Sequence, residues 1–179
     1  MRIISGDLKG ILINAPKGLP VRPTTDRAKE SLFNIIDNNF NIDELTVLDL
    51  FSGTGNIAYE FASRGAQKIT AVDLNFKCVE FIKGMKEKHR MQTLDVIKKD
   101  AFVFLKSTPH TYHIIFADAP YAHRDINQLP KIVAERNLLN AKGWLIVEHE
   151  TTLDLDQEPN FSHKRVYGQS CFSFFTAAV

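Results

Sequence analysis

Two short loops carry the residues whose types and spacing could do chemistry. The first spans residues 49–55 and combines Asp49 with Gly53 and Gly55, directly after an apolar run. The second spans residues 118–121, reads Asp-Ala-Pro-Tyr and follows another apolar run. Because the carboxyl ends of parallel strands meet at one edge of a sheet, we expect both loops in one crevice. A nucleoside cofactor in one loop and a planar amine in the other would give methyl transfer to the exocyclic amino group of a base.

The glycines of the first loop suit a cofactor that contains adenosine. Gly53 and Gly55 let the backbone turn tightly and approach a ligand without a Cβ, beside the free amides of a helix amino terminus. Together with Ala58 and with Asp73 about twenty residues further on, they also satisfy the dinucleotide fingerprint, so a nicotinamide enzyme remains an alternative. Asp49 favours S-adenosylmethionine, since a carboxylate would repel a pyrophosphate but suits a ligand with an ammonium and a sulfonium.

Two further acids follow the next two predicted strands. Asp73 can accept hydrogen bonds from both ribose hydroxyls, and Asp100 can accept one from the adenine amino group. The alternative for each is a turn or cap residue, which suits Asp100 at the start of a helix. Three acids at successive strand ends favour the cofactor interpretation.

The second loop fits an amine whose lone pair is delocalised into a ring. Such an amine must be held by its hydrogens so that its lone pair points at the methyl group. The carboxylate of Asp118 and the carbonyl of Ala119 can accept those hydrogens, and the ring of Tyr121 can stack on the base. An ordinary Asp-x-Pro turn is the alternative, and the preceding Asp73 and Asp100 make it the weaker one.

The elements that position these loops alternate between strand and helix patterns, which is typical of a doubly wound α/β fold. Helices are predicted from about Thr25, Asn56, Asn75, Ala101 and Asp125. Strands are predicted over residues 45–50, 68–73, 93–98, 112–117 and 143–148, and the stretch 161–179 reads as two further strands. We expect a seven-stranded, mostly parallel sheet with helices on both faces. A hairpin over 3–5 and 11–13 would make residues 1–23 a basic extension, with 24–179 as the main domain.

Composition excludes some classes of protein. The chain has 179 residues, 44% of them hydrophobic, without a signal peptide or a membrane-length apolar run, which predicts a cytoplasmic protein. Its two cysteines have neither CxxC spacing nor partner histidines, and His110 and His113 flank a strand, so no metal site is expected.

Charge is concentrated near the amino terminus. Residues 1–29 hold six Lys or Arg residues against two acidic ones, so this segment is a candidate contact for nucleic-acid phosphates, with a solvated basic face as the alternative. The basic residues are Arg2, Lys9, Lys17, Arg22, Arg27 and Lys29.

Residues 22–34, which read Arg-Pro-Thr-Thr-Asp-Arg-Ala-Lys-Glu-Ser-Leu-Phe-Asn, resemble the signature that precedes the cofactor loop in the RsmD-type bacterial enzymes. The resemblance extends from the amino-terminal hairpin to His149. It implies a class I methyltransferase fold, S-adenosylmethionine as donor and guanine N2 of 16S ribosomal RNA as acceptor, acting as a monomer on the small subunit. It places residues 22–27 at the site and the target base at residues 118–121. The donor contacts it implies are Thr25, Asp49, Phe51, Gly53, Gly55, Asp73 and Asp100.

Other functions stay open on the sequence. N6-adenine methylation of DNA or RNA uses the same kind of second loop, and a catalytically silent RNA-binding module is a further alternative. His123 and Arg124 could contact a phosphate or simply be solvated, and Glu148 and His149 could shape the base pocket.

Ala119 departs from the Asp-Pro-Pro-aromatic pattern of the resembling enzymes. Alanine keeps the backbone carbonyl but loses the fixed φ of proline. We therefore expect Ala119→Pro to raise the single-turnover rate of methyl transfer, because the acceptor loop becomes more rigid. A rate that is unchanged or lower would contradict this.

Overall fold

Seven strands form the centre of the protein. They are β1 (Thr46–Leu50), β2 (Lys68–Asp73), β3 (Leu94–Lys98), β4 (Tyr112–Ala117), β5 (Leu139–Glu150), β6 (Phe161–Tyr167) and β7 (Ser170–Thr176). The computed structural model describes residues 1–19, 21, 24–120 and 123–178. In the sheet the strands lie in the order β3-β2-β1-β4-β5-β7-β6, and β7 runs opposite to the other six strands. The predicted seven-stranded, mostly parallel sheet is confirmed.

In the described part of the chain, five α-helices cover the two faces of this sheet. They are α1 (Asp26–Asn39), α2 (Asn56–Ser63), α3 (Phe76–Lys88), α4 (Ala101–Ser107) and α5 (Gln128–Glu135). Thr25, Asn75 and Asp100 cap α1, α3 and α4, each accepting a bond from a backbone N–H three residues on. The predicted start of α5 at Asp125 is wrong. A turn occupies residues 124–127 because Pro130 cannot donate to the carbonyl of residue 126.

β5 is longer than the sequence pattern indicates. It begins at Leu139, which pairs with Tyr112, and its register then shifts before Ile114 pairs with Trp144. Gly143 lies at this irregularity, where an added Cβ would come within 2.9 Å of the carbonyl oxygen of His113. The backbones of β4 and β5 therefore approach closely there, which only glycine permits.

Two apolar clusters hold the layers together. On one face, residues of α1, α2 and α3, such as Leu32, Phe61 and Ile82, pack on the sheet; on the other, α4 and α5 contribute Leu105 and Leu129. Because both faces are covered, the central strands are apolar along most of their length. No helix within the described residues is both long and apolar enough to cross a membrane.

The amino-terminal segment forms the predicted hairpin, with short pairing. An antiparallel bridge joins Arg2 to Leu12, and the amide of Ile3 donates to the carbonyl of Ile11 at 3.0 Å. The turn of this hairpin docks on α2: the amides of Asp7 and Leu8 donate to the carbonyl and hydroxyl oxygens of Ser63, at 2.8 and 2.9 Å. The division of the chain at residue 23 stays a prediction.

A buried ion pair joins this segment to the helices. The ammonium of Lys29 in α1 lies 3.2 Å from Glu60 in α2, and both side chains have 0% exposure. The same ammonium donates to the carbonyl of Arg2 at 2.6 Å, while Glu60 accepts from the amides of Ile4 and Ser5, both at 3.0 Å. Burial lowers the pKa of Lys29, and the charge of Glu60 opposes this. The prediction that Lys29 contacts RNA is therefore wrong, because its ammonium is buried and already bonded to groups of the protein.

We expect Lys29→Met to lower the free energy of unfolding by roughly 3 kcal/mol or more, because it leaves the carboxylate of Glu60 buried with part of its charge uncompensated. Urea denaturation measures this. The matched control is Lys9→Met at an exposed position, which should stay within about 0.5 kcal/mol of the wild type. A loss equal to that of the control would refute the structural role of Lys29.

Candidate functional site

A cavity of about 530 Å³ lies at the carboxyl edge of the sheet, and both loops line it. Its walls come from the ends of β1, β2, β4 and β5 and from the residues that precede α1. The structure thus brings the two loops together, as their positions after parallel strands require. The residues proposed from the sequence that line this cavity are Thr25, Asp49, Phe51, Gly53, Asp73, Asp100, Asp118, Ala119, Pro120, His123 and Glu148.

The first loop is a tight turn held against β2. Phe51, Gly53 and Gly55 all have positive φ, of 54°, 55° and 84°. The amide of Gly53 donates to Asp73 Oδ2 at 2.8 Å, so the loop backbone is fixed to the end of the neighbouring strand. At Gly55 an added Cβ would lie 2.5 Å from the buried ring of Tyr59, which explains the need for glycine before α2.

Asp49 is a buried acid on the cavity wall. It is 2% exposed, and its Oδ2 accepts no hydrogen bond from any described residue. Burial raises its pKa to about 8, and the charge of Asp73 acts in the same direction. An acceptor without a partner in a cavity fits a cationic ligand group, because an ammonium would supply both the missing donor and the missing charge.

Asp73 and Asp100 already accept hydrogen bonds from backbone amides. The two oxygens of Asp73 accept from the amides of Gly53 and Asn75, both at 2.8 Å, and Asp100 accepts from Val103 at 2.9 Å as the cap of α4. The cap alternative raised for Asp100 is thus realised. Each carboxylate has further acceptor sites, and both line the cavity, so ligand contacts by these acids stay predictions.

The second loop extends directly from β4. Ala117 pairs with Val147 of β5, so the next residues, Asp118 and Glu148, occupy matching positions. Asp118 directly follows β4, whereas Glu148 lies within β5, near its carboxyl end. Ala119 is buried at 2% exposure on the cavity wall. Tyr121 and Arg22, which we proposed for the base and for the site, lie outside the described residues, so their roles stay predictions.

From the sequence, Glu148 had only a suggested role in shaping the base pocket and Cys78 had none, and both line the cavity. Glu148 is 3% exposed and accepts from the hydroxyl of Thr24 at 2.6 Å. Cys78 also lines the cavity, and burial raises the pKa of its thiol to about 11, so it is a neutral wall residue. The spacing of Cys78 within α3 carried no signal of this position.

His123 packs with aromatic side chains. Its ring lies 5.6 Å from Phe51 and 5.1 Å from Phe102, which ties the end of the second loop to the first. The sequence offered a phosphate contact or a solvated position for His123, and the phosphate contact stays a prediction.

The remaining proposed cations lie on the surface. Arg2, Lys9 and Arg27 are exposed, and Arg2 pairs with Asp26 at 3.3 Å. None of these three side chains lines the cavity, so any RNA contact they make would be outside it. His113 accepts from the amide of Thr46 at 3.0 Å and so packs structurally, and no metal-binding group of side chains occurs in the described part of the chain.

Comparison with known proteins gives a consistent set of relatives. The protein-family profile described as Conserved hypothetical protein 95 matches residues 1–176. Ribosomal RNA small subunit methyltransferase D of Buchnera aphidicola subsp. Baizongia pistaciae is 32% identical to this chain, covering 86% of it and 78% of the relative.

Two solved structures share the fold. That of yhhF from Escherichia coli has a TM-score of 0.85 at 24% identity and covers 99% of this chain and 97% of its own. An RNA methyltransferase from Salinibacter ruber in complex with S-adenosyl-L-homocysteine has a TM-score of 0.67 at 14% identity, over 87% and 94% of the two chains.

The raised pKa of Asp49 predicts a stability that depends on pH. Between the unfolded value near 4 and the folded value of about 8, the native state holds a proton that the unfolded chain has lost. The free energy of unfolding of the ligand-free protein should therefore fall as pH rises through this window, by at most about 1.4 kcal/mol per pH unit. Asp49→Asn should remove this slope.

Urea denaturation from pH 5 to 8 tests this. Asp43→Asn, at an exposed position, is the control and should keep the wild-type slope. Equal slopes for the wild type and Asp49→Asn would show that Asp49 is already ionised in the native state.

Proposed function

The chain belongs to the family described as Conserved hypothetical protein 95, the RsmD-type methyltransferases, and on that premise we propose that it methylates ribosomal RNA with S-adenosylmethionine as donor. The acceptor we propose is the exocyclic N2 of a guanine in 16S rRNA. The observation that carries the proposal is the single cavity that joins the buried acid Asp49 to the loop beginning at Asp118. Cation recognition and amine recognition are both needed for methyl transfer from a sulfonium, and here they share one site.

The donor half of the site rests on acidic side chains. When bound, S-adenosylmethionine supplies an electrophilic methyl group on its sulfonium. Asp49, once ionised, would pair with the ammonium of the methionine part, while Asp73 would accept from the ribose hydroxyls and Asp100 from the adenine amine. Phe51, Gly53, Gly55 and Thr25 would shape the same half, since three of them line the cavity and Gly55 starts α2 beside it.

The acceptor half acts by holding the amine. Asp118 and the carbonyl of Ala119 would accept the two N–H hydrogens, which aims the nitrogen lone pair at the methyl group. Positioning of this kind contributes much of the rate when the reacting atoms are held about 3–3.5 Å apart. Pro120 fixes the loop that presents these acceptors, and stacking by Tyr121 would hold the plane of the base.

The RNA would reach the cavity from the side of the amino-terminal segment. Arg2, Lys9 and Arg27 are exposed cations outside the cavity and suit phosphate contacts. Arg22 lies in the sequence between Val21 and Thr24, which both line the cavity. The relative named ribosomal RNA small subunit methyltransferase D supports the small ribosomal subunit as the partner. We place the reaction in the cytoplasm and propose that the protein acts as a monomer.

Methyl transfer is tested with small ribosomal subunits from cells that lack this protein. We expect labelled methyl from S-adenosylmethionine to appear as N2-methylguanosine on nucleoside analysis. Asp118→Asn should lower the single-turnover rate by about a hundredfold, because a neutral amide oxygen holds the amine hydrogen more weakly than a carboxylate does. Asp156→Asn, an acid outside the cavity, is the control and should keep the wild-type rate.

Other outcomes separate the alternatives. Label in N6-methyladenosine would keep the mechanism and overturn the substrate. Calorimetry with S-adenosylhomocysteine and with NAD distinguishes the cofactors, and binding of NAD alone would contradict the proposal. RNA binding without methyl transfer at saturating donor would indicate a silent module.

A further inference from the structure

Glu148 lies beside Asp118, the residue proposed to hold the amine, and it has no role in the proposed donor half of the site. Because Ala117 and Val147 are register partners, Asp118 and Glu148 occupy matching positions next to each other, near the carboxyl edge of the sheet. Neighbouring strands lie about 4.8 Å apart, so the two carboxylates can reach one edge of a single planar base. Both residues line the cavity. The arrangement is thus two acceptors side by side at the acceptor end of the site.

The side chain of Glu148 is held in place from within the protein. Its Oε2 accepts from the hydroxyl of Thr24 at 2.6 Å, and the carbonyl of Thr24 accepts from Asn56 Nδ2 at 3.2 Å. Asn56 Oδ1 in turn accepts from the buried ammonium of Lys29 at 2.7 Å. The bond from Thr24 orients the carboxylate of Glu148. Glu148 is therefore an oriented, buried acceptor on the cavity wall.

The bases differ in the hydrogen-bonding groups that they would present to these two carboxylates. Guanine presents N1–H beside its N2 amine, so two donor groups are adjacent on its Watson–Crick edge. Adenine and 2-aminopurine present an amine beside an unprotonated N1, which would place a lone pair against a second carboxylate. Enzymes that act on single bases read this edge by hydrogen bonds. Two adjacent carboxylates match guanine and oppose the other two.

We propose that Glu148 determines specificity by accepting the N1–H of guanine while Asp118 holds the N2 amine. This inference rests on the proposed function, since it needs a guanine acceptor in the cavity. Glu148 would contribute little to donor binding. Its effect is discrimination between bases, because a site built to accept a hydrogen bond rejects an analogue that lacks the donor.

The test places 2-aminopurine at the target position. This base keeps the N2 amine but has an unprotonated N1. After the methylated nucleotide has been mapped, 16S rRNA carrying guanine or 2-aminopurine there is assembled by ligation and reconstituted into small subunits. Single-turnover methyl transfer to each is measured for the wild type, Glu148→Gln and Glu150→Gln. Glu150 is the matched control, because it lies two residues along the same strand with an exposed side chain.

We expect the wild type and Glu150→Gln to favour guanine over 2-aminopurine by about ten- to a hundredfold, the range for a hydrogen bond to a charged acceptor. Glu148→Gln should bring the two bases to within about threefold, since its amide can accept from N1–H or donate to an unprotonated N1. Binding of S-adenosylhomocysteine and the melting temperature should be unchanged in Glu148→Gln, which separates lost discrimination from misfolding.

The contrary outcomes are distinct. If the wild type forms N2-methylguanosine but uses 2-aminopurine equally well, or if Glu148→Gln keeps the full preference, the role of Glu148 is overturned and the proposed function stands. If the wild type does not methylate guanine in the unmodified subunits, the proposed function fails and the inference fails with it.

Discussion

The ion pair between Lys29 and Glu60 connects the parts on which the cavity depends. It lies between α1 and α2 with no exposure to solvent, and it also binds backbone groups of the amino-terminal segment. A buried pair of this kind stabilises a fold only when hydrogen bonds satisfy both ions. Here the carbonyl of Arg2 and the amide oxygen of Asn56 accept the other hydrogen bonds of the Lys29 ammonium. The pair therefore fixes three segments relative to one another and reaches the cavity wall through Asn56.

The cavity itself is shaped by an excess of carboxylates. Asp49, Asp73, Asp118 and Glu148 all line it, at or near the carboxyl ends of four neighbouring strands. Burial raises the pKa of Asp49 to about 8, so the ligand-free site lowers its own charge by keeping a proton. A cationic ligand would reverse this balance, because it stabilises the ionised carboxylate. Asp49, which destabilises the ligand-free protein as pH rises, would then stabilise the complex.

The sequence predicts the sheet and both loops well because their signals are local. An apolar run that ends in Asp49 or Asp118 marks a strand edge, and parallel topology then brings the edges together. Three features depend on distant contacts, and the sequence could not give them. Lys29 looks like a surface cation until Glu60 is placed opposite it. The hairpin of residues 3–13 docks on Ser63 of α2, and Gly143 allows an early start of β5 that no periodicity reveals.

The position and the orientation of Glu148 depend on different parts of the sequence. Its position after Val147 is local information, whereas its orientation comes from Thr24, which lies 124 residues earlier in the chain. Thr24 directly precedes Thr25, the cap of α1, and the first turn of that helix carries Lys29. A displacement of the amino-terminal segment would therefore reach Glu148 through covalent and hydrogen-bonded neighbours. Since exposed cations on this segment suit phosphates, RNA contact outside the cavity and base reading inside it would act on one connected set of side chains.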